Sequence, residues 1–211
     1  MARRFRDRSE AGRVLGELLR SYAGRDDVVV LALPRGGVPV GAEVSRALGA
    51  PLDVLTVRKL GVPGQRELAM GAVGPGGAVM LDEELINRLR IPHGEVAETL
   101  AVETWELQRR ERAYRGDDAP ADLEGKTVIV VDDGIATGQS MRVAVRVLRK
   151  RGPAQVVIAV PAAAADTCEA LKSDADDVVC ALSPQPFVAV GAWYDDFSQV
   201  SDEEVRALLR R

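Results

Sequence analysis

The residues best suited to chemistry lie in one stretch of the chain, VIVVDDGIATGQSM, residues 128–141. Its first four residues are all apolar, which predicts a strand buried on both faces of a parallel sheet. Asp132 and Asp133 then place two carboxylates at the carboxyl end of that strand. Carboxylates can accept hydrogen bonds from sugar hydroxyls. The plainer interpretation, that this pair only caps a turn, is disfavoured by the residues that come after it.

A glycine-containing turn and a predicted helix follow the acidic pair. The N-terminus of a helix offers unpaired backbone N–H groups and the positive end of a dipole, which together suit a phosphate group. Gly138 lets the backbone approach such a group closely, and the hydroxyls of Thr137 and Ser140 can donate further hydrogen bonds. Acids beside a phosphate cradle indicate a phosphorylated sugar, whose hydroxyls face the carboxylates and whose phosphate enters the turn.

A second turn whose residues could take part in binding or catalysis is PRGG, residues 34–37, which follows an apolar run at 28–33. Arg35 supplies a cation, while Gly36 and Gly37 allow a sharp turn. The alternative is an ordinary tight turn.

The elements that carry these two turns alternate regularly along the chain. Apolar runs typical of strands lie at 28–33, 51–57, 127–133, 155–161 and 178–183. Helical patterns lie between them, and another, with Ser9 as its predicted N-cap, runs to about Tyr22. This alternation predicts an α/β fold, an open, mostly parallel five-stranded sheet flanked by helices. Both turns then lie at the carboxyl edge of the sheet, where such folds bind ligands.

Two segments interrupt this alternation within what we expect to be a single domain, residues 1–211. Residues 58–78 hold six glycines and two prolines, which predicts a long flexible loop with room for a short hairpin. A strongly charged helix is predicted next, over about 94–114, with Glu106 supporting Arg110. Residues 184–200 show little helical periodicity and precede a short terminal helix.

Composition and charge argue against several classes of function. The net charge of −4 and the pI of about 5.2 disfavour nucleic acid and anionic membranes as partners. No apolar run is long enough to span a bilayer. A single histidine, His93, excludes His-rich zinc sites and makes a Ser-His-Asp triad improbable. Cys168 and Cys180 have no metal or redox spacing, which predicts a reduced, cytoplasmic protein.

Residues 128–141 resemble the phosphoribosyl pyrophosphate (PRPP) motif of the type I phosphoribosyltransferases, an acidic pair, two residues and then A/D-T-G-x-T/S. Residues 33–49 resemble the first βα unit of bacterial xanthine-guanine enzymes, in which R-G-G forms the pyrophosphate loop. Residues 187–197 are similar to the hood of the hypoxanthine-guanine enzymes. Ala136 stands where many purine enzymes carry an acid, and Gln139 replaces a frequent glycine. These two departures leave the nucleobase open.

This resemblance implies a role for each matching residue. Asp132 and Asp133 would hold the ribose 2′- and 3′-hydroxyls. The pyrophosphate would be received by Arg35, Gly36 and Gly37, often through a non-proline cis peptide bond in this family. The 5′-phosphate would be bound by the rest of the motif: Gly134, Ala136, Thr137, Gly138, Gln139 and Ser140. Mg²⁺ would be carried mainly by PRPP oxygens and water, without a dedicated set of protein ligands.

The glycine-rich loop has a further implied role, because in related enzymes the corresponding loop closes over the reacting centre. Arg58 and Lys59, together with Arg35, are the candidate catalytic residues, since cations there could neutralise departing pyrophosphate while closure excludes water. Glu67 is a weaker candidate in the same loop. The alternative is an ordinary solvated basic pair.

The hood offers candidate residues for the acceptor. Phe187 and Trp193 could stack on a flat base, with Val188 beside them. Asp195 or Asp196 could interact with the base or with magnesium-bound water. Packing in the core is the alternative for both aromatic residues.

The expected reaction transfers the 5-phosphoribosyl group from PRPP to a nitrogen nucleophile and releases pyrophosphate. The nucleophile is expected to be a nitrogen of a nucleobase. The partners are then PRPP and a small-molecule acceptor in nucleotide metabolism. We also expect the protein to form a homo-oligomer, specifically a homodimer. The alternative function is a PRPP-sensing regulator with the same fold and little catalysis. A phosphosugar hydrolase is disfavoured because the sequence shows no nucleophile–base pair.

Overall fold

The computed structural model describes residues 4–116 and 118–210, and of residues 66 and 67 it describes the backbone alone. Glu67 therefore lies outside the described side chains. Within these residues the strands are β1 (Val28–Ala32), β2 (Leu52–Val54), β3 (Arg58–Val62), β4 (Gln65–Gly74), β5 (Ala78–Leu81), β6 (Thr127–Val131), β7 (Gln155–Ala162) and β8 (Asp177–Leu182). The α-helices are α1 (Arg8–Leu18), α2 (Gly37–Leu48), α3 (Glu83–Leu89), α4 (His93–Arg115), α5 (Gln139–Arg149), α6 (Ala165–Leu171) and α7 (Asp202–Leu209).

The central sheet has five parallel strands in the order β2-β1-β6-β7-β8, which confirms the predicted architecture. β1 and β6 lie next to each other, and every residue of both is buried. Alternate side chains point to opposite faces. Val28 and Val30 pack in one cluster with residues of α1 and α2, whereas Val29 and Leu31 pack in a second cluster with residues of α5. Burial on both faces explains the uninterrupted apolar runs in the sequence.

Residues 58–78, predicted as a long flexible loop with room for a short hairpin, form most of a second sheet, in which β3 and β4 are a hairpin. β3, β4 and β5 pair in an antiparallel three-stranded sheet. Its buried side chains, Leu60, Met70 and Val73, form a cluster of their own with apolar residues of α3 and α4. The glycines misled the prediction because three of the six, Gly61, Gly71 and Gly74, lie within the strands. At Gly71, for example, the backbone oxygen of Met80 on the neighbouring strand occupies the place of a side chain.

Helix boundaries differ from the prediction at a few points. α1 begins two residues earlier than expected, since the side chain of Asp7, not that of Ser9, caps it by accepting the N–H of Glu10 at 2.7 Å. α3 was not predicted. α4 occupies the predicted place, and Arg110 donates to Glu106 at 2.8 Å as expected. Among the described residues, no helix combines the length and the apolar character that crossing a membrane requires.

The two cysteines are not free thiols, which corrects the prediction of a reduced chain. Cys168 on α6 and Cys180 on β8 form a disulfide. The spacing of the cysteines in the sequence gave no sign of this bond, because it depends on how α6 packs beside the last strand of the sheet.

Candidate functional site

The two turns identified in the sequence meet at the carboxyl edge of the sheet. β1 and β6 are parallel neighbours, with Ala32 opposite Val131, so the segments that follow them leave the sheet at the same level. A Cβ atom at Gly36 would overlap the carboxylate of Asp133. One at Gly37 would lie 2.8 Å from the backbone oxygen of Val131. The PRGG turn therefore lies directly on the acidic pair, and only glycine permits that contact.

The PRGG turn has the backbone geometry that the family resemblance implied. The peptide bond between Pro34 and Arg35 is cis, and α2 begins at Gly37. The side chain of Arg35 is partly exposed, with its Nη1 atom 3.9 Å from Oδ1 of Asp202 on α7. Arg35 and Gly36 both line a cleft of about 360 Å³ that also contains Asp133. A cation and a backbone turn thus face the same space as one of the two acids.

The acidic pair is largely enclosed by protein. Asp132 Oδ1 accepts the backbone N–H of Asp133 at 2.8 Å. Burial raises the pKa of Asp132 well above its usual range, and the neighbouring carboxylate of Asp133 raises it further. The two carboxyl groups are thus buried next to each other at the end of β6. Because of this, keeping both of them charged costs free energy.

Arg8, which the sequence did not identify, is the cation closest to this pair. Its Nε and Nη2 atoms lie 2.9 and 2.8 Å from Oδ2 of Asp133, and its Nη1 donates to the backbone oxygen of Ser198 at 2.8 Å. The guanidinium lies 3.9 Å from the ring centroid of Phe197, a cation–π distance. Burial raises the pKa of Asp133, and Arg8 opposes that rise. Arg8 is 125 residues from Asp133 in the sequence, so no local pattern could have found the contact.

Tyr194 of the hood forms a hydrogen bond with Asp133. Its hydroxyl donates to the backbone oxygen of Asp133 at 2.6 Å, and burial raises its pKa above the usual value. The segment before α1 runs beside the hood, since the N–H of Phe5 donates to the backbone oxygen of Trp193 at 2.9 Å. The rings of Phe5 and Tyr194 lie 5.7 Å apart. The N-terminal segment, the hood and the acidic pair are therefore in direct contact.

The turn after the acidic pair packs against α6 on one side and is exposed to solvent on the other. Gly138 has a φ of +75° and immediately precedes α5, and a Cβ there would lie 3.0 Å from Cγ2 of Thr167 on α6. The Thr167 hydroxyl donates to the backbone oxygen of Ala136 at 2.8 Å. By contrast, the residues predicted to bind phosphate are mostly exposed: Ala136, Thr137, Gln139 and Ser140. The first residues of α5, Gln139 and Ser140, are thus exposed to solvent.

The two basic residues assigned to a closing loop lie elsewhere. Arg58 is on β3 and donates from Nε to Oε2 of Glu103 on α4 at 2.7 Å. Lys59 is exposed and lines a separate cleft of about 690 Å³ between the β3–β4 hairpin and α4. Neither residue lines the cleft that contains Asp133.

The hood residues predicted to contact an acceptor are only partly available. The rings of Phe187 and Trp193 stack on each other, with centroids 6.3 Å apart. Val188 is 83% exposed. Asp195 and Asp196 are exposed, and a hydrogen bond from the N–H of Ser198 lowers the pKa of Asp196. The aromatic residue that borders the acidic cleft is Phe197, which was not among the candidates.

Comparison with known proteins identifies the family. Residues 8–195 match the family described as "Phosphoribosyl transferase domain". A Mycobacterium tuberculosis H37Rv protein named "Putative phosphoribosyl transferase Rv0571c" is 47% identical over 210 residues, which is 98% of this chain and 46% of that protein. The chain therefore spans about half the length of this relative. "Bifunctional protein PyrR" of Chloroflexus aurantiacus is 33% identical over 129 residues, covering 60% of this chain and 65% of the relative.

A solved structure is similar over almost the whole chain. The crystal structure of TT1426 from Thermus thermophilus is 45% identical and superposes with a TM-score of 0.87, covering 98% of this chain and 97% of that one. The parallel sheet with helices on both faces agrees with the type I phosphoribosyltransferase fold that the motif predicted. This chain belongs to the phosphoribosyltransferase family.

Proposed function

We propose that the cleft at the carboxyl ends of β1 and β6 binds PRPP and that the protein transfers its 5-phosphoribosyl group to a nitrogen nucleophile, a nucleobase, releasing pyrophosphate. The observation that carries this proposal is the direct contact between the PRGG turn and the acidic pair, through Gly36 and Asp133. The contact lies at a cleft that Arg8, Arg35 and Asp133 line, and α5 begins six residues after Asp133. A phosphorylated sugar that also carries pyrophosphate would require cations, sugar-binding acids and a phosphate-binding helix N-terminus.

The hydrogen bonds of the acidic pair support a role in holding the ribose. Oδ1 of Asp132 and Oδ2 of Asp133 already accept protein N–H groups. The two carboxyl groups also lie close enough to share a hydrogen bond when one of them is protonated. Two adjacent carboxylates match the two neighbouring hydroxyls of a ribose, which can donate a hydrogen bond to each.

The two turns would then receive the two phosphate-bearing ends of PRPP. The exposed turn from Ala136 to Ser140, with the N-terminus of α5, suits the 5′-phosphate. Arg35 and the backbone of Gly36 and Gly37 suit the pyrophosphate. Arg8 lines the same cleft as Arg35 and adds a second guanidinium near the departing group.

Cleavage of the bond between C1 and pyrophosphate builds positive charge on the ribose. The residues of this chain would fix the sugar, neutralise the leaving group and exclude water. The carboxylate oxygens of Asp132 and Asp133 are hard donors that fit Mg²⁺, although most of its ligands would be PRPP oxygens and water. When bound, the metal would supply further positive charge beside the pyrophosphate.

A second candidate function is a PRPP-binding regulator with little turnover. The position of Arg58 and Lys59 favours it, because Arg58 is engaged by Glu103 and Lys59 lines a different cleft. If these residues act on the leaving group, the β3–β4 hairpin must move toward the acidic pair. If they do not, PRPP could bind without efficient transfer.

One set of measurements separates the two functions. The protein is incubated with PRPP, Mg²⁺ and a pool of purines, pyrimidines and amines, and pyrophosphate release and new phosphoribosyl products are measured beside equilibrium PRPP binding. Transfer predicts turnover. It also predicts that replacing Arg58 and Lys59 by Ala lowers kcat by about 100-fold with a smaller loss of PRPP affinity. Lys172→Ala, at an exposed site directly after the last residue of α6, is the control.

The remaining outcomes are equally informative. PRPP binding without turnover on any acceptor would favour the regulator. Equal losses of rate and affinity in the Arg58 and Lys59 variant would mean that the pair only holds substrate. An absence of PRPP binding by the folded protein would refute both functions.

A further inference from the structure

α4 carries a stripe of exposed residues on the side opposite its buried residues. The stripe consists of Glu95, Glu98, Val102, Trp105, Arg109 and Arg112, all exposed. Their spacing of three, four, three, four and three residues places them along one side of a helix, as in the seam of a coiled coil. At its centre Val102 is 58% and Trp105 65% exposed. An exposed tryptophan beside an exposed valine is an apolar patch without a partner in the described chain.

This patch is separate from the apolar residues by which α4 packs against the protein core. The side of α4 that packs inward carries Val96, Leu107 and Tyr114, all buried. At about 100° per residue, the exposed stripe lies roughly opposite those residues. α4 therefore has one apolar side that packs in the monomer and a separate, smaller apolar patch that is exposed to solvent.

The charges along the stripe are arranged symmetrically about its centre. Acidic residues, Glu95 and Glu98, stand at the N-terminal end, and basic residues, Arg109 and Arg112, stand at the C-terminal end. The midpoint of each matching pair falls at the same place, between residues 103 and 104. An antiparallel copy of the helix, related by a two-fold axis at that point, would face Glu95 with Arg112 and Glu98 with Arg109. The valine of each copy would then face the tryptophan of the other.

We propose that this stripe is the contact surface of a homodimer, in which α4 packs antiparallel against α4 of a second copy. A two-fold interface must be self-complementary, and this stripe is so in both charge and apolar character. From Glu95 to Arg112 it spans about 26 Å, enough for five helical turns of contact. The proposal does not depend on the reaction that the protein catalyses.

The surroundings of the stripe suit a partner helix. Glu95, Glu98 and Val102 also line the cleft of about 690 Å³ beside the β3–β4 hairpin. That cleft gives room at the acidic end for the long arginine side chains of the second copy. Arg109 is paired with Glu106 within its own helix yet remains 56% exposed, so it can still face an acid across the interface. The mixture of acids and bases does not suit nucleic acid or an anionic membrane.

The first test is the oligomeric state by sedimentation equilibrium. The unmodified chain should be a dimer. Trp105→Glu should weaken the dimer at least about 30-fold, because it replaces a central aromatic contact by buried charge. Leu18→Glu is the control, since Leu18 is 53% exposed on α1 and lies outside the stripe. Circular dichroism verifies that both variants fold. A monomeric unmodified chain, or a dimer that Trp105→Glu leaves intact, would overturn the proposal.

The second test uses charge reversal and is specific for the antiparallel arrangement. Glu95→Arg alone should weaken the dimer about tenfold, because two arginines then face each other at both ends, and Arg112→Glu alone should weaken it for the corresponding reason. Mixing the two single variants should restore a dimer, now between unlike chains, and the double variant Glu95→Arg with Arg112→Glu should dimerise by itself. Failure of the mixture to associate more tightly than either variant alone would exclude this pairing.

Discussion

The acidic pair should lower the free energy of unfolding of the ligand-free protein. The Asp132→Asn variant, which removes one of the two charges, tests this. Burial and the adjacent carboxylate of Asp133 raise the pKa of Asp132, so holding that group charged near neutral pH costs free energy. Asparagine has the same shape without the charge. Its side-chain oxygen can still accept the N–H of Asp133, a contact of 2.8 Å in the native protein. The substitution therefore removes the cost and retains the structural hydrogen bond.

Two effects of opposite sign are expected. Removal of the charge should raise the free energy of unfolding by about 1 kcal/mol, typical for relief of a strained active-site feature. In a chain of this size that corresponds to a melting temperature about 2–4 °C higher. PRPP binding should weaken by roughly 10- to 150-fold, because a hydrogen bond to a charged group contributes ~1.5–3 kcal/mol. A residue with only a structural role would not gain stability when replaced.

The pH dependence gives an independent check. A carboxyl whose pKa is raised by folding contributes stability that is fully present below its unfolded pKa and is lost as the pH rises through the folded pKa. The stability advantage of Asp132→Asn should therefore be largest at pH 8 and vanish in acid, where the native carboxyl is protonated.

The assays are thermal unfolding from pH 5 to 9 and calorimetry with PRPP and Mg²⁺. Asp26→Asn is the control, at an exposed turn before β1, at the opposite end of the strand from the cleft. A variant that melts lower than the native protein at pH 8, or that binds PRPP with native affinity, would refute the reasoning.

Three other substitutions test the site and its support. Gly36→Ala should weaken PRPP binding at least about tenfold, since its methyl group overlaps the carboxylate of Asp133 and overpacking costs about 1–3 kcal/mol. Arg8→Ala should lower the free energy of unfolding by about 1–3 kcal/mol, because its side chain and that of Asp133 are only 11% and 15% exposed. This loss should shrink in acid, where Asp133 is protonated. Replacing Cys168 and Cys180 by Ser should cost about 3 kcal/mol and lower the melting temperature by roughly 6–12 °C.

Each of these has a matched control. Gly94→Ala meets no atom within 4 Å, so it should leave PRPP binding unchanged. Arg13→Ala removes an exposed arginine from the same helix as Arg8 and should leave stability nearly unchanged. A reducing agent should lower the melting temperature of the native protein but not that of the cysteine double variant. PRPP binding by Gly36→Ala equal to that of its control, or an Arg8→Ala stability loss that grows in acid, would contradict the assignments.

The sequence predicted the parallel sheet and the meeting of the two turns because both depend on short, local patterns. Fully apolar runs such as residues 128–131 identify strands covered on both faces, and the shared direction of the strands places the turns after them at one edge. The sharp turn at Gly36 and Gly37 was predicted, whereas their contact with Asp133 and Val131 is a finding of the structure. This part of the site is set by neighbours in the sequence and by one topological rule.

The parts that the sequence did not predict depend on contacts between distant residues. Arg8 reaches Asp133 across 125 residues, and its place in an arginine-rich N-terminal segment hides it among exposed charges. The disulfide depends on the packing of α6 beside β8. The three-stranded sheet was mistaken for a loop because its glycines mark close strand packing, as at Gly71, as readily as they mark turns.

The pairing of β1 with β6 also has a consequence for how the protein folds. Val28 lies opposite Thr127, so the strands that carry the two turns are about a hundred residues apart in the chain. Contacts of such long sequence separation form slowly, because much chain entropy is lost before they are gained. A ligand that bridges the two turns can bind only after this pairing is complete. It would therefore slow unfolding in proportion to its concentration while leaving the folding rate nearly unchanged.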